Sequence, residues 1–208
     1  MTTRAREKKQ GFTLIEVLIV IVISAILATV AITYNSVSRN QIALSVETAK
    51  VEETLLSAKN LAIASYVGSP ATCAYGVAFN VASNTYSVFA YQPVPYDPST
   101  STLPCPDPAD VTAIGPDQIT AYSPGTWEVP LANGVHFASS TNGDALIIAL
   151  FYPPGPATLL STDGSVFADS PASSTFLDPS TPTKVYLVTA DGKSSSTVLV
   201  NPGGQISL

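Results

Sequence analysis

The sequence predicts an α+β protein in which a long N-terminal α-helix packs on a C-terminal antiparallel β-sheet domain. The positions of glycine and proline are the first reason: all 17 prolines lie at or after Pro70, and Gly11 is the one glycine of 12 before Gly68. Residues 12–67 therefore lack both helix breakers and predict one long helix. Residues 68–208 alternate apolar runs with turn signals and predict strands.

The first part of the predicted helix has the length and composition of a membrane span. A basic leader, residues 1–11, precedes an almost unbroken apolar run, residues 12–32. At 1.5 Å per residue this run spans about 31 Å, the thickness of a bilayer core. The leader would stay on the cytoplasmic side, so that the chain after the run lies outside. A secretory signal peptide is the alternative, but its apolar region would be shorter, roughly 7–15 residues.

The second half of the helix is amphipathic. Apolar and small residues recur at three- and four-residue steps and form one stripe, which we expect to pack on the sheet. The stripe consists of Leu44, Thr48, Val51, Leu55, Ala58 and Ala62. The charged residues of the same stretch fall mostly elsewhere; they are Glu47, Lys50, Glu52, Glu53 and Lys59.

The C-terminal part, residues 68–208, predicts an antiparallel β domain with one long insertion. The expected strands are a hairpin of residues 75–79 and 85–91 around Ser83-Asn84, a buried strand within 146–152, a hairpin of residues 184–189 and 197–200 around Asp191-Gly192, and a short strand near Ile206. Asp163-Gly164 is a further turn signal. The proline-rich loop 93–130 is expected to be a surface excursion rather than part of the core.

Composition and charge exclude several function classes. Charged residues make up 12% of the chain, about half of the ~25% that is usual for soluble domains. Lys184 and Lys193 are the only basic residues after residue 59, so nucleic-acid binding is not expected. One histidine, His136, and two cysteines offer little for a metal site or a His-based triad. We therefore predict no enzyme, no metal ion and no other cofactor.

Two groups of side chains in and near the loop have a second interpretation. Four aspartates that serve loop solubility could instead bind calcium; they are Asp97, Asp107, Asp110 and Asp117. Four aromatic residues that suit a core could instead form an exposed recognition patch; they are Tyr91, Tyr96, Tyr122 and Trp127.

Glu16 is the unusual residue of the apolar run. A carboxylate inside a membrane helix costs at least ~2.5 kcal/mol, and such residues usually have a partner and a function. The alternative is that Glu16 lies close enough to the helix start to reach the lipid headgroups. Cleavage after Gly11 would create an α-amino group on Phe12, a positive charge that could meet Glu16 of the same or a neighbouring chain.

The segment Lys8-Lys9-Gln10-Gly11-Phe12-Thr13-Leu14-Ile15-Glu16-Val17 resembles the class III signal of type IV pilins and type II secretion pseudopilins. The resemblance implies a pilin fold, cleavage between Gly11 and Phe12 by an inner-membrane prepilin peptidase, and N-methylation of Phe12. It also implies pairing of Glu16 with the amino terminus of an adjacent subunit, and an inner-membrane assembly platform as partner. Many major pilins have a proline where this chain has Thr33, so we expect the helix to continue there without melting.

The layout of the C-terminal part also resembles the GspH/FimT group of minor pilins and pseudopilins. The matching pieces are Tyr75-Gly76-Val77 with the hairpin after it, the segment Phe151-x-x-x-Gly155, and the final hairpin with Gly203-Gly204 near its end. Some FimT-type proteins bind DNA through basic residues of the last strands. This chain has Asp191 and several Ser and Thr residues there, with Lys184 and Lys193 as the only basic residues, so DNA binding is not carried over.

Cys73 and Cys105 both lie on the outer side of the predicted membrane crossing, where disulfides form. A bridge would close a loop of about 30 residues and contribute about 3–4 kcal/mol in the chain-entropy model. It would tie the proline-rich loop to the base of the first hairpin. The alternative is two unpaired thiols in a reducing setting.

These observations predict a structural subunit that is stored in the cytoplasmic membrane and assembled with other pilin or pseudopilin subunits into a periplasmic or extracellular filament. The size and the GspH/FimT-like layout favour a minor subunit. The alternative is a membrane-anchored module at a filament tip, which recognises a surface, an exoprotein or DNA through the proline-rich loop. An anchored hydrolase is disfavoured because the sequence offers no nucleophile–base pair.

Overall fold

The computed structural model of the chain contains one long helix followed by strands. It describes residues 13–68, 72–92, 105–108, 111, 114, 119–121, 128–132, 134–139, 143–153, 157–162 and 183–208. The chain divides into two compact units, and the boundary between Arg39 and Asn40 lies inside the helix. The predicted α+β class is confirmed.

Helix α1 spans Leu14–Gly68 and continues through Thr33 without interruption, as expected. The strands are β1 (Ala74–Asn80), β2 (Thr85–Tyr91), β3 (Ile119–Ala121), β4 (Val129–Pro130), β5 (Val135–Phe137), β6 (Ile148–Tyr152), β7 (Ala157–Ser161), β8 (Thr183–Thr189), β9 (Ser195–Val200) and β10 (Ile206–Ser207). Sheet A has the order β3-β2-β1-β6-β7, with β4 beside β2. Sheet B has the order β10-β9-β8-β5.

The predicted hairpins and the predicted buried strand are confirmed. β1 and β2 pair antiparallel along their full length, and β8 pairs with β9 across the Asp191-Gly192 turn. β10 is the short final strand and pairs with β9. All residues of β6 are buried, because this strand lies between β1 and β7 inside sheet A. The predicted turn at Asp163-Gly164 lies outside the described residues.

In the C-terminal unit, one hydrophobic cluster joins α1 to both sheets. The predicted helix stripe is buried; its members are Leu44, Thr48, Val51, Leu55, Ala58 and Ala62. The apolar members pack in one cluster with Val77 and Phe151 of sheet A and with Val185 and Val198 of sheet B. The three- and four-residue spacing in the sequence therefore identifies the packing face of the helix.

Glu47 is an exception to the expectation that the charged residues of this stretch fall mostly away from the packing face, because Glu47 is only 2% exposed. It follows Leu44 by three residues and precedes Val51 by four, so it shares their side of the helix. The Lys50 ammonium group donates a hydrogen bond to Glu47 Oε1 at 2.7 Å and compensates the buried charge. Burial raises the pKa of Tyr86, and the negative charge of Glu47 raises it further.

The opposite face of sheet A is buried as well. Phe89, Leu150 and Leu159 belong to a second cluster, which also includes Val111 and Ile114 of the proline-rich loop. The expectation that this loop is a surface excursion is therefore wrong for Val111 and Ile114, whereas Cys105, Asp107 and the loop strand β4 are exposed as expected. The loop also supplies the short strand β3. The physical reason is that strands with apolar side chains on both faces need a cover on both faces.

Polar contacts connect the second sheet with the rest of the C-terminal unit. Asp144, before β6, accepts a hydrogen bond from the Tyr186 hydroxyl at 2.8 Å and forms an ion pair with Lys184 at 3.2 Å. The hydrogen bond to Asp144 is the main cause that raises the pKa of Lys184. Lys59 of the helix donates to the Gly204 carbonyl oxygen at 2.8 Å. The contacts of Asp144 hold β8 beside the segment that leads into β6. The contact of Lys59 holds the turn between β9 and β10 against the helix.

Asn84, at the tip of the β1–β2 hairpin, connects the two sheets. Its φ of 55° lies in the left-handed region, which asparagine tolerates better than most residues. Its side-chain Oδ1 accepts a hydrogen bond from the Phe137 backbone N–H at 2.9 Å. Its carbonyl oxygen accepts another from the Leu131 N–H at 3.0 Å. One turn residue of sheet A thus positions the segment that contains β5 of sheet B.

Replacing Asn84 by glycine is expected to lower the free energy of unfolding by about 1–3 kcal/mol, because the Phe137 N–H loses its acceptor. Glycine keeps the positive φ, so backbone strain does not confuse the result. Asn84→Asp keeps an acceptor oxygen and should stay within about 0.5 kcal/mol of the wild type. Denaturant unfolding of the full-length chain in detergent micelles measures both variants. A glycine variant as stable as the aspartate variant would contradict the role of this hydrogen bond.

Candidate processing and assembly site

The N-terminal unit contains a helix segment that could cross a membrane. Leu14–Ala31 is an 18-residue stretch with a mean hydropathy of 2.8, and none of it is buried. Leu14 is 84% exposed and Leu27 is 62% exposed. A core helix of a soluble protein would bury such side chains. A large exposed apolar patch, in contrast, marks a surface that contacts a membrane or another protein. The segment therefore fits a membrane anchor.

Glu16 and Thr13 together cap the start of this helix. The Thr13 backbone N–H and the Thr13 hydroxyl both donate to Glu16 Oε2, each at 3.0 Å. In return, the Glu16 backbone N–H donates to Thr13 Oγ1 at 3.4 Å. This reciprocal pattern is a capping box, which satisfies donors that the first helical turn leaves unpaired. It also places a negative charge at the positive end of the helix dipole.

The two carboxylate oxygens of Glu16 have different surroundings. Oε2 accepts both hydrogen bonds from Thr13. Oε1 has no hydrogen bond or ion pair with any residue that the structure describes. An ammonium group can therefore bind Oε1 while the capping box stays intact. Among the residues that the structure describes, the site is a carboxylate with one oxygen held by Thr13 and the other without a partner.

The sequence prediction identified Glu16 but missed Thr13. The signal was present, because Thr-x-x-Glu directly before an apolar run is the sequence pattern of a capping box. Gly11 and Phe12, the predicted cleavage residues, lie outside the described residues. Their roles remain predictions.

The predicted disulfide is confirmed. Cys73 and Cys105 are bonded, with their Cα atoms 5.4 Å apart. Cys73 is buried beside the start of β1, and its backbone N–H donates to the Tyr91 carbonyl oxygen at 3.0 Å. The bond therefore holds the proline-rich loop at the base of the first hairpin, near the point where Val111 enters the second cluster.

Removing this disulfide with Cys73→Ala/Cys105→Ser is expected to lower the free energy of unfolding by about 3–4 kcal/mol. The two cysteines are 32 positions apart, so the bond restricts a long loop in the unfolded chain. Denaturant unfolding should give the same midpoint for the double variant and for the wild type in a reducing agent. A double variant as stable as the oxidised wild type would contradict a stabilising role.

Other candidate sites of the sequence remain unsupported in the described part of the chain. There, no group of three or more His, Cys, Asp or Glu side chains could hold a metal ion. Asp107 is described and exposed, and Tyr91 belongs to the second buried cluster. The other loop aspartates and aromatic residues fall outside the described residues; they are Asp97, Asp110, Asp117, Tyr96, Tyr122 and Trp127. His136 is a strand residue of β5 and lies opposite Val188 of β8.

Residues 6–32 match the family model described as the prokaryotic N-terminal methylation motif. The matched segment includes Gly11, Phe12, Glu16 and the apolar stretch of α1. The class that this motif supports is that of the type IV pilins and pseudopilins, which the resemblance implied. The motif indicates a processed structural subunit rather than a family of enzymes. No curated protein and no solved structure matches the chain.

Proposed function

We propose that this chain is a structural subunit of a type IV pilus-like or type II secretion pseudopilus filament. Prepilin peptidase cleaves it between Gly11 and Phe12 and methylates the new amino terminus, and the inner-membrane assembly platform then adds it to other subunits. One observation carries the proposal: an unburied apolar helix has, in its first turn, a capped carboxylate whose second oxygen contacts no described residue, within a matched methylation motif.

The role of Glu16 follows from charge in an apolar surrounding. When subunits assemble, their apolar helices leave the lipid and pack on each other, and the amino terminus of each chain enters this packing. An unpaired charge there is costly, whereas a paired and hydrogen-bonded one is tolerated. Glu16 Oε1 is the counter-charge, and the capping box holds it in position. Because amine and carboxylate must meet, the pair sets the axial position of one subunit against the next.

The proposed orientation places the leader in the cytoplasm and the sheets outside. The basic leader, residues 1–11, agrees with the positive-inside rule. The disulfide after the span agrees with export to an oxidising compartment. Tyr34 is 77% exposed and comes three residues after the apolar stretch, where aromatic side chains suit the membrane–water interface.

Within this class we propose a minor subunit of the GspH/FimT kind. The support is the β1–β2 hairpin that begins near Tyr75-Gly76-Val77 and the C-terminal hairpin followed by the Gly203-Gly204 turn. DNA binding is not part of the proposal, since one of the two lysines in the last strands, Lys184, is already paired with Asp144.

Mass spectrometry of the chain from assembled filaments tests the proposal. The expected amino-terminal peptide begins with N-methylated Phe12. A matched control from cells that lack the prepilin peptidase should retain residues 1–11 and should stay in the membrane fraction. Filaments built from the chain with its leader intact would overturn the proposal.

A further inference from the structure

The second half of α1 has an exposed apolar line on the side opposite its buried stripe. Four large apolar side chains lie there, with exposed fractions from 43% for Leu56 to 60% for Ile42; they are Ile42, Val46, Leu56 and Ile63. In the described part of the C-terminal unit, the other large apolar side chains that are exposed are Val129 and Leu208. Exposed apolar surface concentrated on one side of one helix marks a surface that contacts a partner. We call the four residues, together with the exposed Ala49, the outer stripe.

The spacing of the outer stripe indicates which kind of surface covers it. Ile42, Ala49, Leu56 and Ile63 recur every seven residues, and Val46 lies four residues after the first and three before the second. This is the repeat of a coiled coil, with the seven-residue series at position d and Val46 at position a. The buried stripe falls on positions c and f of the same repeat, so α1 can pack on the sheets and on a second helix at once. A helix that crosses at about 20° matches a seven-residue period, whereas a sheet or a lipid surface does not require one.

Two exposed polar residues occupy the remaining a positions and decide which helix can pair with this one. Glu53 and Asn60 follow Val46 at seven-residue steps. In a parallel pair of identical helices, Glu53 would face Glu53 of the other copy, and Glu52 of each copy would lie beside them. The ammonium group of Lys50 in the preceding turn is already held by Glu47. Four carboxylates at one level disfavour the self-pair, whereas a Lys or Arg of a different helix would be attracted to them. Asn60 adds a polar position of the kind that fixes the register of a coiled coil.

We infer that the outer stripe forms a parallel two-helix coiled coil with a second, non-identical membrane-anchored subunit, whose helix presents a Lys or Arg to Glu53. The orientation is parallel because both helices begin in the same membrane. The apolar d positions supply the contact, and the charge of Glu53 selects a basic partner over a second copy of this chain. The inference rests on the proposed function for the presence of other anchored subunits, and it fits a minor subunit, whose neighbours are chains other than its own copies. It uses a surface separate from Glu16.

Photo-cross-linking from a benzoylphenylalanine probe at position 56 first tests the exclusion of the self-pair. Full-length chain with natural nitrogen is mixed with heavy-nitrogen chain in detergent micelles, and peptides that contain both isotopes report contacts between copies. With Glu53 present, the mixed product should not exceed that of a probe at position 129, since Val129 is 44% exposed and Leu56 is 43% exposed. Glu53→Leu should raise the product from position 56 at least about tenfold, because identical helices can then pair. A self-pair with Glu53 present, or no self-pair in Glu53→Leu, would overturn the inference.

The same probe in membranes of cells that make the chain tests the partner. The expected product joins position 56 to the helix of a different chain, after that chain's own apolar span and within about one turn of a Lys or Arg. Glu53→Lys should lower this product about tenfold, and replacing the partner's basic residue by Glu should restore it. Glu128→Lys makes the same charge change at an exposed acid outside the helix and should leave the product unchanged.

Three results in membranes would overturn the inference: a product no more abundant than that from position 129, a product with lipid or with copies of this chain, and a product with a chain that lacks such a helix. The contact is measured before assembly. A chain whose leader stays intact in filaments would therefore defeat the proposed function, while the cross-link would still decide this contact.

Discussion

Replacing Glu16 by glutamine is expected to lower the amount of subunit in filaments by about tenfold or more, with membrane insertion and leader cleavage unchanged. Glutamine still accepts the hydrogen bonds of Thr13, since either residue serves in a capping box. It has no negative charge for the amino group of a neighbouring subunit, and a charged hydrogen bond of this kind contributes about 1.5–3 kcal/mol. Immunoblots of sheared filaments and of membranes measure the two populations.

Thr13→Val is the matched control for the Glu16 experiment. It removes the hydroxyl of the capping box but keeps the Thr13 backbone N–H, which donates to Glu16 Oε2. The charge of Glu16 is also kept, so incorporation should fall less than in Glu16→Gln. Full incorporation of Glu16→Gln, together with a loss in Thr13→Val, would show that helix capping matters and that the charge does not.

Replacing Gly76 by alanine is expected to destabilise the C-terminal unit by about 1–3 kcal/mol or more. The added Cβ would lie 2.6 Å from Phe89 Cζ and 2.7 Å from the Ala149 carbonyl oxygen. Phe89 is the direct partner of Gly76 in β2, so its ring covers the position where a side chain would stand. The second obstacle is the backbone of the interior strand β6, which cannot move without shifting sheet A. Denaturant unfolding of the full-length chain in micelles measures the loss.

Gly203→Ala is the control for this experiment. A Cβ at Gly203 meets only Asn201 Oδ1, at an ordinary distance of 3.6 Å, so stability should stay within about 0.5 kcal/mol of the wild type. If Gly76→Ala does not fold, adding Phe89→Leu should recover part of the folded population, because the smaller side chain relieves one of the two contacts. Equal stability of Gly76→Ala and Gly203→Ala would contradict the steric argument.

The spacing of residue types along the chain is enough to predict the helix, its packing stripe and the anchor. Helix breakers are absent from residues 12–67, and the stripe from Leu44 to Ala62 follows the helical repeat, so both are read from neighbours in the chain. The motif around Glu16 is also linear, which is why the pilin class could be predicted before any contact was known. The first and last hairpins follow from short turns between alternating strands.

Only the three-dimensional packing shows why Glu47 is buried and why the proline-rich loop supplies core residues. It also explains why substitutions of Asn84 and of Gly76 are expected to lower stability. Each of these depends on partners that are distant in the chain, such as Phe137 for Asn84 and Ala149 for Gly76. Periodicity indicates which face of an element is apolar, but it does not indicate which element covers that face. Sheet A needs a cover on both faces, and the disulfide-held loop provides the second one.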